Sequence, residues 1–143
     1  MILSKMTTPT IYDLLNTNTG GRNNFLIDCT FSTMTDEQKI DFCMTILNDE
    51  LYTYTYLVCE EPTIFPSDII WQSLYQFIQE TYDFYDIQYE IMNQYLESVK
   101  ITPVITEQIK ELILKKQHDT QLVKFLGIWI GYDYELDNIV DKF

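Results

Sequence analysis

Few residues of this chain have the type and spacing for catalytic or metal chemistry. Asp133, Glu135, Asp137 and Asp141 fall at positions one, three, five and nine of a calcium-binding EF-hand loop. Position six of such a loop needs glycine for its sharp turn and is Asn138 here, and the sequence runs out before the bidentate acid of position twelve. Leu136, Ile139, Val140 and Phe143 fit a short last helix instead. His118 is the single histidine, and Cys29, Cys43 and Cys59 are widely spaced, so no zinc pattern forms. Cys43 with His118 is the one conceivable nucleophile and base, but His118 sits at a predicted helix end, where exposure is the ordinary outcome. Gly20, Gly21, Gly127 and Gly131 make neither a phosphate-binding loop nor a dinucleotide fingerprint. Tyr89-Glu-Ile-Met92 has the form of a phosphotyrosine docking peptide, yet it lies on a predicted helix with Ile91 facing inward. The expectation is a protein with no metal, no cofactor and no catalytic residue, hence not an enzyme.

The charged residues are more informative. The 143 residues hold 22 acidic and nine basic side chains, a formal charge of −13. Residues 40–99 carry Asp41, Asp49, Glu50, Glu60, Glu61, Asp68, Glu80, Asp83, Asp86, Glu90 and Glu97 with no Lys or Arg between them. Such a field repels phosphate backbones and anionic lipid, which excludes direct nucleic-acid or membrane binding. It attracts a cationic partner. The same stretch holds Tyr52, Tyr54, Tyr56, Tyr75, Tyr82, Tyr85, Tyr89 and Tyr95, and tyrosine is suited to surfaces that bury a ring and keep a hydroxyl wet. Carboxylates beside exposed aromatic rings imitate the phosphates and base faces of a nucleic acid. The competing reading is a solvated acidic face that serves only solubility, with half of the tyrosines in the core. Lys100, Lys110, Lys115, Lys116 and Lys124 form a basic stretch that could pair with the acidic region of a second copy, giving a homodimer.

The elements that would position these groups follow from periodicity. With 46% apolar and 15% aromatic residues the chain can fill one core, and its length suits a single domain over residues 1–143. No apolar run reaches the roughly 18–20 residues of a membrane span, and no secretion signal is seen at the start, so a cytoplasmic protein is expected. Alanine is absent, which points to an AT-rich genome such as that of a virus, a phage or a low-GC bacterium. A helix candidate over residues 10–16 is followed by a loop over residues 17–24. Thr35 to Gln38 spells a capping box, and Ile40, Met44, Leu47 and Leu51, continued by Tyr54 and Val58, predict one helix through residue 58. Ser67 and Asp68 can cap a second helical region with Ile70, Leu74, Phe77 or Ile78, and Thr81 inward. Its stripe slips near Asp83, after which Ile87, Ile91, Tyr95 and Val99 take over, so two helices are expected. Pro103 begins an amphipathic helix with Ile105, Ile109, Leu112 and Ile113 on one face and Glu111 paired with Lys115. Asp119 caps Leu122 to Ile130, apolar nearly all round and therefore expected at the centre.

The fold expected is mainly all-α, a compact domain of six or seven helices; the alternative is α+β, with a small sheet from residues 25–31 and 51–58. The function expected is a non-enzymatic acidic protein that inhibits or masks a basic, nucleic-acid-binding partner, in the manner of a phage or viral anti-defence protein of anti-CRISPR type. A bacterial immunity protein or antitoxin against a basic toxin or nuclease, and an oligomeric scaffold module, are the alternatives. The partner-binding residues expected are Asp49, Glu50, Glu60, Glu61, Asp83, Asp86 and Glu90, with Tyr52, Tyr56, Tyr85 and Trp71 as anchors. Trp129, among apolar neighbours, is expected in the core.

Overall fold

The computed structural model describes residue 31, residues 33–60 and residues 62–131, and the readings for residues 10–16, 17–24, 25–30 and 133–143 lie outside these. The mainly all-α fold expected from the sequence is the one adopted, with six α-helices, one 3-10 turn and no strand among the described residues. These residues form two compact units, divided between Val99 and Lys100.

In the first unit, helix α1 spans Asp36–Asn48 and starts at the expected capping box. The Thr35 hydroxyl accepts from the Gln38 amide at 3.1 Å, and the Gln38 side chain accepts from the Thr35 amide at 2.8 Å. Its buried face is Gln38, Phe42, Cys43, Ile46 and Leu47, rotated from the expected stripe, so that Ile40 and Met44 are only half-buried. Two apolar sets share this helix, and the one with the larger ring goes inward. Phe42 lies 5.0 Å from the Phe31 ring, edge-on, and 5.8 Å from Phe65.

The continuous helix expected through residue 58 is not formed. The chain leaves α1 at Asp49, Glu50 takes φ 57, and a 3-10 turn, Tyr52–Tyr54, leads into the short α2, Tyr56–Cys59. The Tyr/Thr run is poor in helix propensity, and Asn and Asp favour turns over helix interiors. The strand alternative for residues 51–58 also fails, because their amides find carbonyls three or four residues back, such as Tyr54 N–H to Leu51 O at 2.9 Å.

Helix α3, Ser67–Glu80, has Pro66 at its N-cap and no side-chain cap there. The expected Ser67 or Asp68 cap is not formed, because the helix starts at Ser67 itself, too early for either residue to precede it. The helix buries Ile69, Ile70, Trp71, Ser73, Leu74, Phe77 and Ile78, and its packing on α1 is the most extensive between helices among the described residues. The break expected near Asp83 is present: Thr81 turns extended, and α4 spans Asp86–Glu97. Phe84 holds the connection down, 5.7 Å from the Phe77 ring and 5.9 Å from Tyr89. On α4, Gln88, Tyr89, Ile91, Met92, Tyr95 and Leu96 are buried.

In the second unit, α5 spans Pro103–Lys115, with the Thr102 hydroxyl capping the Ile105 amide at 3.2 Å and the expected Ile105, Ile109, Leu112 and Ile113 buried. Lys115 pairs with Glu111 at 2.7 Å as the spacing implied. Helix α6, Thr120–Trp129, starts at Asp119, whose carboxylate accepts from the Leu122 amide at 3.0 Å, and Gly131 at φ 86 follows its end. It packs on α5 with Leu122, Val123, Leu126 and Gly127 inward. The expected all-round burial is not seen: Ile128 is exposed, and Phe125, Trp129 and Ile130 are half-buried. An apolar sequence cannot say which of its faces a neighbour covers. No helix among the described residues is long and apolar enough to cross a membrane.

Candidate protein-interaction surface

Of the expected partner-binding residues, all but Glu61 and Trp71 are exposed in the first unit, and Glu61 lies outside the described residues. Trp71 is a correction: at 4% exposure it is core, its ring 5.7 Å from Tyr75, because α3 turns this residue onto the same inward face as Ile70 and Leu74. The eight tyrosines divide as the solvated reading also allowed. Tyr52, Tyr56, Tyr82 and Tyr85 are exposed, Tyr54 and Tyr75 half-buried, and Tyr89 and Tyr95 buried. Burial of Tyr89 removes the docking-peptide reading.

Helix α4 organises the rest. Asp86, Glu90 and Glu97 are four and seven residues apart, which sets them on one exposed stripe with Asn93, about 16 Å from end to end. At its start, the Gln88 side chain accepts from the Tyr85 amide at 2.8 Å and donates to the Leu47 carbonyl at 3.2 Å. That bridge sets the end of α1, with Asp49 and Glu50, beside Tyr85 and Asp86. The 3-10 turn carrying Tyr52 packs on α4. Farther along, the Tyr95 hydroxyl donates to the Cys43 carbonyl at 2.8 Å, a second buried tie to α1. At the far end, the Cys59 thiol donates to the Gln94 carbonyl at 3.6 Å, and both Glu60 and Glu97 act on that thiol. Segment 49–60 thus lies against the inward side of α4 while the Asp86, Glu90 and Glu97 stripe looks outward, and together they make this part of the unit an acidic and aromatic surface. Glu97 belongs to it beyond the expected set, and Tyr82, in the connection before α4, was likewise not among the residues expected. Tyr82 is the most exposed aromatic residue described, at 67%, and its signal was its place beside the helix break.

Asp86 lies in the first turn of α4, where an anion is favoured, but several other carboxylates of this unit run against the fold. Helix C-termini favour cations. Here Asp49 and Glu50 follow α1, Glu60 follows α2, Glu80 ends α3 and Glu97 ends α4, with no basic residue in the last turn of any of them. Glu50 is misplaced twice, since its left-handed φ of 57 is the conformation that helix ends usually give to glycine.

The remaining reactive groups are subdued. Burial pushes the Cys43 thiol far up, outweighing a lowering hydrogen bond with Ser73, which opposes the thiolate that the dyad reading needs. Burial likewise raises Tyr95 well above the usual phenol range, and partial burial raises Cys59, with Glu97 and Glu60 adding to the effect. Tyr56 is raised by partial desolvation and then by Tyr54 and Glu60. Among the described residues no group of three or more His, Cys, Asp or Glu is placed to hold a metal ion. Comparison with family models, with curated proteins and with solved structures finds no match.

Proposed function

We propose that this chain is a non-enzymatic acidic binding protein whose α4 face occupies the basic, nucleic-acid-binding surface of another protein, as an anti-defence protein of a phage or virus would. The observation that carries the reading is the set of carboxylates at helix C-termini, Glu50 foremost. Each costs the fold stability, on the order of 0.3–1 kcal/mol for an exposed charge at the wrong helix end. Carboxylates kept at several helix ends where the fold disfavours them have their use outside the fold. Solubility alone would be served equally by carboxylates at helix N-termini.

The dimensions suit the role. One strand of a duplex carries a phosphate about every 3.4 Å, so about 16 Å corresponds to roughly five phosphates. Asp86, Glu90 and Glu97 supply three carboxylates along α4, Asp83 precedes it and Asp49 and Glu50 lie beside its start, and the Tyr82 and Tyr85 rings are exposed, as rings that stack on a partner must be. An immunity protein or antitoxin against a basic nuclease would use the same face, and the partner captured decides between them.

The test is capture of partners from host lysate on the tagged protein at low salt, with elution by a rising salt gradient. A stoichiometric basic protein released sharply as salt rises, and displaced by single-stranded nucleic acid, supports the reading. Self-association alone, or no salt-sensitive partner, overturns it.

A further inference from the structure

We propose that Gln88 is the positioning residue of the acidic face, its single amide capping two helices at once. The start of α4 leaves amide protons without helical partners and the end of α1 leaves carbonyls without them. The Gln88 oxygen takes the Tyr85 amide proton and the Gln88 nitrogen reaches the Leu47 carbonyl, 41 residues away in sequence. The backbone amides that reach that carbonyl are that of Asp49, which is shared with the Thr45 carbonyl at 2.9 Å, and that of Glu50 at a long 3.4 Å. The orientation of the side-chain amide is dictated, since a backbone amide only donates and a carbonyl only accepts. At 5% exposure the pair of bonds is shielded from water. Asp49, Glu50 and Tyr52 are thereby held beside Tyr85 and Asp86, and the function given to that face rests on the reading above.

An ordinary capping box accepts Glu in this position as readily as Gln. This one does not, because the second oxygen introduced by Gln88→Glu would face the Leu47 carbonyl. The ionisable groups of the surrounding turns are acidic or phenolic: Asp49 and Glu50 after α1, Tyr52 in the 3-10 turn, Asp83 before α4, and Tyr85, Asp86, Tyr89 and Glu90 around it, with no Lys or Arg in residues 40–99. The introduced carboxyl is therefore held protonated to a higher pH in the fold, and once protonated it donates to Leu47 as the amide did. Its penalty is present at neutral pH and fades toward about pH 5.

The experiment measures Tm and amide exchange protection for wild type, Gln88→Glu and Gln88→Met, with binding to a short oligolysine peptide. Gln88→Glu is expected to lower Tm by about 5 °C at neutral pH relative to wild type. It should retain Tyr85 protection and lose protection at Glu50 and Leu51 about tenfold, both deficits shrinking as pH falls. Gln88→Met loses protection at both helix ends at every pH, and binds the peptide about threefold more weakly. A Gln88→Glu protein as stable as wild type at neutral pH, or a deficit indifferent to pH, overturns the double cap. Intact peptide affinity in Gln88→Met overturns its positioning of the face. Wild type that prefers oligolysine no more than a neutral peptide overturns the proposed function and leaves the double cap standing.

Discussion

Glu50 shows how a single residue can be placed against its own fold. Left-handed backbone costs a non-glycine residue roughly 1–2 kcal/mol, and a carboxylate beyond the C-terminus of α1 opposes the helix dipole. Glu50→Gly should therefore raise the unfolding free energy by roughly 0.5–1 kcal/mol in denaturant titration, after the entropy that glycine adds to the unfolded chain. Partner affinity should fall in the same variant. Cys43 makes a separate prediction. Burial raises its thiol in the fold, so the neutral form stabilises the protein fully below the unfolded thiol pKa near about 8.5, and that contribution is lost as pH rises toward the folded value. Tyr95 acts in the same direction from about pH 10. Alkaline titration of stability should fall from about pH 8.5 upward, and Cys43→Val should flatten the first part of that fall. A curve unchanged by the substitution would refute the assignment. The Thr35 and Asp119 caps were legible in the sequence because a cap is a contact three residues long, although the same reasoning passed over Thr102 and favoured Ser67 and Asp68, which do not cap α3. Trp71, Glu50 and Gln88 were not, because what each does depends on an element distant in sequence or on a backbone angle that residue type does not reveal.

At the scale of elements, α4 both packs and presents. Its inward residues are pinned to α1 through Gln88 and Tyr95, and its outward stripe of Asp86, Glu90 and Glu97 faces solvent. Glu97→Gln should add about 0.3–0.5 kcal/mol of stability by relieving the end of α4 while reducing capture of a basic partner. By contrast Asp119→Ala, which removes the cap of α6 far from this face in sequence, should cost about 1 kcal/mol and leave capture unchanged. Thermal unfolding alongside capture separates the two classes. The helix pair α3 and α4 could be read from the slip of its apolar stripe near Asp83, and α5 from its clean spacing. The end of α1 could not, since Leu51 to Leu57 satisfies helix and strand patterns alike and the structure forms a 3-10 turn and the start of the short α2 there instead of either continuous element. The rotation of α1 followed from competition between two apolar stripes that spacing alone does not rank.

For the molecule as a whole, charge decides how stability and binding answer to salt. Residues 40–99 carry eleven carboxylates without a Lys or Arg, so self-repulsion is strongest at low ionic strength. Added salt should raise Tm while weakening partner capture, opposite responses that a neutral binding face would not give. This acidity was fully visible in the sequence; its concentration at helix ends and along α4 was not, because exposure and helix boundaries had to be known first. The most direct test combines stability and capture in one protein, Glu50→Gly with Glu97→Gln. The account predicts a variant that unfolds at higher denaturant concentration than wild type and releases its basic partner at lower salt. A variant that is more stable and holds its partner as tightly as before would show that these carboxylates serve no binding face.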